Sequence, residues 1–502
     1  MKKLIYIMTA CLGLSLASCD DFLDVSSPDK LSSENYWRND SDVEAALAVT
    51  YGQLYLGGTW SFPEVKFPVE EYRTDLVYPG KDAYNYAPWV DLYNFTNTKG
   101  NSQTAAMWSS YYAGIMICNQ VIDQVGNMGD KISSEKRVEA LAEAKFMRAW
   151  YHMQLLLNWK QIIIRDHYVT SGEPSEVDHP LNDRVETWEF ICDDLKQAAE
   201  GLPARWTGLD EGRGSANAAN AYLGMAYLTR AYEEENNDFF NKAVEVFNKV
   251  EGLSLEENFT SMFNGMNKNC DESIFEIQFT QDDSNGAWYK TQFHNWINSG
   301  AYGGWDEIHP SEILMNEYKK EGKISTDGLY DARLYASVFF DDDYFNGNPE
   351  LVLWDTFDDI KEGAGGEVAP WFRKLLPTVD NWQKYSDVNV MLMRYGNVLL
   401  MKAEALNETG NTAEAVKIIN EVRRVHGHMP AMKGTSQDDV RAQIEHERML
   451  EFPLENSRWY DLRRWGKTAE AMKADGRTEF NEDHLFFPVP ESELNYNGGL
   501  KK

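Results

Sequence analysis

Ala403-Glu-Ala-Leu-Asn-Glu-Thr-Gly-Asn-Thr-Ala-Glu-Ala-Val-Lys-Ile-Ile-Asn-Glu-Val422 lies without a gap over Ala231-Tyr-Glu-Glu-Glu-Asn-Asn-Asp-Phe-Phe-Asn-Lys-Ala-Val-Glu-Val-Phe-Asn-Lys-Val250. Ala231 falls on Ala403, Ala243 on Ala415, Val244 on Val416, Asn248 on Asn420 and Val250 on Val422. Each stretch reads as helix, short polar turn, helix, with the turns at 233–238 and 407–411. Alanine where two helices cross lets their backbones approach closely, so the repeat predicts a stacked pair of helical hairpins.

The same period extends outward. Ala140, Ala144, Met147, Tyr151 and Leu155 recur at three- and four-residue spacing across 133–159. Segments 107–158 and 184–250 therefore read as further hairpins. Ser41, followed by Asp42 and Glu44, reads as the N-cap of the first helix. Stretches rich in Gly, Asn, Asp and aromatic residues interrupt the helices at about 57–100, 260–310 and 340–388, where irregular loops and short strands are expected; 272–279 reads as one strand. The fold class is mainly α: a tetratricopeptide-like hairpin scaffold, one domain over 41–502, carrying inserted loops at about 57–100 and 260–388.

The N-terminus sets the compartment. Lys2 and Lys3 precede a mostly apolar run, and Leu16-Ala17-Ser18-Cys19 then places small residues before a cysteine. This is the pattern of a signal peptide over 1–18, too short to be a spanning helix. The four residues ending at Cys19 resemble a bacterial lipobox, which makes Cys19 the acylated residue, 19–40 an exposed tether and the membrane a partner through the lipid anchor. Each buried methylene of an acyl chain contributes about 0.8 kcal/mol, so several chains anchor stably. Of the five cysteines, Cys118, Cys192 and Cys270 remain in the body. Three widely spaced thiols predict buried free cysteines, with neither a disulfide framework nor a zinc site. The net charge of −32 disfavours nucleic acid as a partner. Cores consume many of the 16 Trp, 26 Tyr and 23 Phe, but glycan-binding surfaces use such flat rings too.

Five motifs then follow in order. Cys19-Asp-Asp-Phe-Leu-Asp24 opens the body; Ala142-Glu-Ala-Lys-Phe-Met-Arg-Ala-Trp-Tyr151 and Gly212-Arg-Gly-Ser-Ala-Asn-Ala-Ala-Asn-Ala-Tyr222 lie on helices. Glu447-Arg-Met-Leu-Glu451 precedes Arg458-Trp-Tyr-Asp-Leu-Arg-Arg-Trp-Gly466, and Phe487-Pro-Val-Pro-Glu-Ser-Glu-Leu494 comes near the end. Together they resemble the SusD/RagB family of outer-membrane nutrient-binding lipoproteins. Phe452-Pro453 departs from the family's uninterrupted apolar pair and predicts that the helix ends there. Glu447, Arg448, Arg458 and Asp461 read as ion pairs that lock the C-terminal segment to the bundle.

The resemblance implies glycan capture beside a SusC-like TonB-dependent transporter, on the outer membrane and facing the cell exterior. Asp20 and Asp21 resemble the export signal of such lipoproteins. Peptide capture by a RagB-like protein, or a helical interaction scaffold without a small ligand, are the alternatives. No catalytic residue, cofactor or metal ligand is expected. The chain has no P-loop and no nucleophile elbow, and Glu445-His446-Glu447-Arg448 lacks the second histidine of a zinc-protease helix. His426-Gly-His428 reads as a surface turn at a helix end.

A sugar offers an apolar C–H face and a rim of hydroxyls, which rings and amide or charged groups match respectively. Stacking that removes roughly 40 Å² of apolar surface is worth about 1 kcal/mol, so several rings are needed. Two stretches combine rings with such groups: Tyr78-Pro-Gly-Lys-Asp-Ala-Tyr-Asn-Tyr-Ala-Pro-Trp89, and Asp282 onward through Trp296 to Trp305. The starch-binding members of the family use an aromatic arc from about these regions. By that resemblance the candidate ligand-binding residues are Tyr84, Tyr86, Trp89, Trp288, Tyr289 and Trp296, with Asn85 and Lys290 as hydrogen-bonding partners. Lys81 and Lys290, set in these loops, point to an acidic sugar if both line the site. Trp305 reads as a packing residue.

Overall fold

Asn39, not Ser41, starts the first helix: its side chain accepts from the Ser41 and Asp42 backbone N–H groups, while the Asp42 carboxylate turns back to Arg38. The computed structural model describes residues 36–55, 66–282, 289–351, 357–363 and 368–501. Trp37 is already buried against Val43, Val121 and Val125, so the packed body begins inside the stretch expected to be tether.

The long helices are α1 (Asp40–Thr50), α2 (Ser102–Asn127), α3 (Ser134–Asn158), α4 (Arg184–Gly201), α5 (Ala216–Glu233), α6 (Asp238–Phe247), α7 (Glu312–Lys319), α8 (Tyr395–Glu408), α9 (Thr412–Val425), α10 (Gln437–Glu451) and α11 (Arg458–Arg464). Consecutive members pack side by side from α2 to α6, and α8 to α10 continue the stack because α6 lies against α8. The two halves of the internal repeat are thus neighbours in space. Ala243 and Ala415 are fully buried at equivalent positions. No helix among the described residues is long and apolar enough to cross a membrane.

Between α6 and α8 the chain leaves the stack for the 147 residues 248–394. This excursion holds short antiparallel pairs: β2 (Ser273–Ile277) with β6 (Val390–Arg394), and β4 (Val338–Phe339) with β5 (Trp371–Phe372). The first pair joins the start of the excursion to its end, Ser273 facing Arg394. A third pair, β1 (Val77–Pro79) with β3 (Ile308–Pro310), clips the early loop to the excursion. The expected strand at 272–279 is therefore present as β2, and the fold is mainly α with a few two-residue to five-residue strands.

The signature near the C-terminus performs the locking expected of it. The Arg458 guanidinium grips Asp75 through two bonds of 2.8 and 2.7 Å, and Arg448 Nε meets Asp461 at 2.7 Å. α10 ends at Glu451, just before Pro453. Cys118, Cys192 and Cys270 are free and buried.

Candidate functional site

The 81–89 loop is held by backbone. Gly80 N donates to Glu307 O at 2.7 Å and Asp82 N to Asp306 O at 3.2 Å, extending the β1–β3 pair past its ends. A Cβ at Gly80 would sit 2.0 Å from Asp306 O, so only glycine permits this approach. A 3₁₀ turn (Asp82–Asn85) then lifts Tyr84 and Asn85 outward before the helix Ala87–Tyr93 begins.

The structure divides the candidate residues by depth. Tyr84 is 64% exposed and Tyr86 37%, and Asn85 is exposed between them. Gln103 Nε2 donates to the Tyr86 hydroxyl at 2.8 Å, and the ring meets Trp89 at 4.6 Å, so Tyr86 is fixed at its far end and at its edge. Trp89 (6% exposed) and Trp296 (0%) are buried. They cross edge-to-face at 6.2 Å, and Tyr72 touches both. The expectation that Trp89 and Trp296 stack on ligand is corrected: they are the pedestal under the ledge. The reason is a one-turn helix, Phe293–Ile297, which buries Phe293, Trp296 and Ile297 where a loop was expected.

Tyr289 and Lys290 stand apart from this ledge. Tyr289 is 40% exposed and leans on Tyr55 at 5.2 Å, which packs on Phe279 and donates to Gln278 O at 2.7 Å. Lys290 is half-buried. No ring contact joins Tyr289 to Tyr84 or Tyr86 among the described residues. Trp288 and Cys19 lie outside the described residues.

The ground beneath the ledge is acidic. His309 Nε2 bonds Asp306 Oδ1 at 2.9 Å and holds that carboxyl down at about 2. Burial, with Asp82 and Asp306 nearby, pushes the Glu307 carboxyl up to about 7. Lys81 is exposed at the rim.

Sequence reasoning missed the densest polar site. His426 is no surface residue: it is fully buried between Glu451 (2.6 Å) and Glu272 (3.0 Å). Burial alone would depress its pKa, but Glu451 and Glu272 outweigh that and raise it to about 9. Arg394 pairs with Glu272, Glu451 and Glu455, while Arg333 pairs with Asp331, Glu447 and Glu451. Two trios, Glu272–His426–Glu451 and Glu321–His446–Glu447, bring metal-ligand atom types together. Guanidinium groups already supply the positive charge in both, and both nitrogens of each imidazole face carboxylates, so the arrangement is an ion-pair lattice. The signal available in sequence was charge on the inward face of α10: Glu447 and Glu451, four residues apart, with Arg448 beside them.

A cavity of about 340 Å³ opens elsewhere in the excursion, walled by Tyr302, Phe339, Tyr344 and Trp382 and edged by Arg373 and Val379.

Comparison with known proteins bears on all of this. Residues 271–502 match the model of the SusD family, and 21–228 match a model described as starch-binding, associating with outer membrane. SusD-like protein P2 of Formosa agariphila is 29% identical, over 97% of each chain. A SusD superfamily protein from Bacteroides vulgatus shares the fold with a TM-score of 0.80 at 24% identity, covering 92% of this chain and 98% of that one. A laminarin-binding SusD-like protein superposes with a TM-score of 0.73 at 23% identity, again over 92% and 98%.

Proposed function

The chain belongs to the SusD family, and from that premise we propose that it is a cell-surface binding protein that captures oligo- or polysaccharide without turnover and delivers it to a SusC-like TonB-dependent outer-membrane transporter. The observation that carries the glycan reading is the exposed Tyr84–Asn85–Tyr86 ledge, braced from below by Trp89 and Trp296. A ring fixed before ligand arrives, as Tyr86 is by Gln103 and Trp89, loses little freedom on binding, so its stacking energy is retained as affinity. The laminarin ligand of one structural relative and the starch-binding description of a matching model support the same class. The latter also supports an outer-membrane location, with Cys19 as the acylated anchor. Tyr289 and Lys290 contribute a second contact along a longer chain.

The test is calorimetry or affinity-gel electrophoresis of the lipid-free chain against a panel of plant, host and microbial polysaccharides. One bound class is expected. The double variant Tyr84→Ala/Tyr86→Ala should lose that binding while remaining folded, its melting temperature lowered only by the loss of the Tyr86 contacts with Gln103 and Trp89. Silence across the panel, or full binding by the variant, refutes the ledge as a glycan platform.

A further inference from the structure

Arg373 follows β5, and its backbone N–H donates to Ser337 O. The half-buried guanidinium donates Nη1 to Tyr335 O at 2.7 Å and lies 5.5 Å over the Phe339 ring. Among the described residues it has no ion-pair partner, in contrast to Arg333, Arg394, Arg423, Arg448 and Arg458, which are matched to carboxylates. Arg73 and Arg165 also lack one, but Arg73 lies over the Trp459 and Phe487 rings and Arg165 donates to two backbone carbonyls, whereas Arg373 borders a cavity. Burial lowers its pKa from the usual arginine value, and only the phenols of Tyr344 and Tyr302 act against that. Its neighbour Lys374 is satisfied by Glu455 and by Glu451 O. A desolvated guanidinium without a counter-charge is costly unless something supplies one.

The cavity beside Arg373 can admit that something. Its volume, about 340 Å³, is within the ordinary range of small-molecule sites. Tyr302 meets Trp382 edge-on at 6.2 Å and Phe339 at 5.8 Å, giving an apolar wall, while Asn258 and Thr378 offer hydrogen bonds; the lining also holds Lys374 and, among the described residues, one carboxylate, Glu350. None of the Tyr84–Tyr86 ledge residues lines it.

We propose that this cavity is a second binding site, for a sugar unit bearing an anionic group that Arg373 receives. The guanidinium fork matches a carboxylate or a sulfate equally well, so both a uronic acid and a sulfated sugar fit. The sugar part of this proposal rests on the glycan reading above; the anionic part rests on Arg373.

The probes are galacturonic acid, galactose 6-sulfate and galactose, titrated into the lipid-free chain and followed by tryptophan fluorescence, since Trp382 lines the cavity. One or both acids should bind while galactose does not, and which acid binds separates the two sources of charge. Arg373→Gln should weaken the acid roughly tenfold or more. Val379→Trp, a change at an exposed rim position, should block it without touching the core. Galactose binding as tightly as the acids, no acid binding up to about 10 mM, or unchanged binding by both variants would each overturn the proposal. Tyr84→Ala/Tyr86→Ala should keep the acid, so a silent polysaccharide panel with acid binding retained sinks only the ledge.

Discussion

Position in the chain says less than depth about what an aromatic residue does here. Trp296 and Tyr84 both come from stretches expected to bind ligand, yet one has no exposed surface and the other shows 64% of its own. Trp296→Ala is expected to cost about 3–5 kcal/mol of stability, in the usual range for an aromatic cavity; urea unfolding reads this, and a smaller loss would show the pedestal collapses around the gap. His426 offers a second residue-scale prediction. Its folded pKa of about 9 lies above the ordinary 6.5. The stability it contributes is therefore complete below about pH 6.5 and is lost as pH rises through 9. Each tenfold gain in proton affinity on folding is worth about 1.4 kcal/mol, so the loss amounts to a few kcal/mol. Urea midpoints at pH 6.5 and 9.5 should differ in the wild type and differ less in His426→Gln, which starts from lower stability because Glu272 and Glu451 lose a buried cation. The remaining difference belongs to His446, which Glu317 and Glu321 raise to about 9 against burial. Equal slopes in both proteins would remove His426 as the cause.

At the scale of elements, the helices were readable and the connections between their charges were not. The period across 133–159 appears as α3 (Ser134–Asn158), and the gapless repeat appears as α5–α6 and α8–α9 stacked through α6 and α8. Helical spacing is local, so a window of one chain suffices to see it. The Arg394–Glu272 and Arg333–Glu447 pairs join residues more than 100 positions apart, and no local pattern encodes them. The one-turn helix Phe293–Ile297 escaped because five residues are too few for a period, and its burial moved Trp89 and Trp296 from surface to pedestal. The repeat makes its own prediction. Ala415 is fully buried on α9, so Ala415→Leu should overpack the hairpin and cost about 1–3 kcal/mol. An unchanged thermal midpoint would mean that the hairpins are not in close contact at that alanine.

For the whole molecule, charge and architecture act separately. A net −32 repels itself at the surface, whereas the ion-pair lattice is buried and shielded from salt. Raising ionic strength from 0.01 M to about 0.15 M shortens the screening length from roughly 30 to 8 Å. The melting temperature of the lipid-free chain should rise over that interval; a fall would mean that exposed ion pairs, not surface repulsion, dominate its response to salt. Architecture enters through β2 and β6. Because the excursion departs and returns on paired strands, with Ser273 opposite Arg394, its two stems leave the hairpin stack side by side, and Glu321 and Arg333 within it are tied back to α9 and α10 by ion pairs. The loops between those stems that carry none of these ion pairs can lengthen, shorten or be exchanged at a closure cost of only about 0.6 kcal/mol per doubling. A lineage built on this plan can therefore vary those loops freely, leaving the frame and the ion pairs that brace it to be inherited intact.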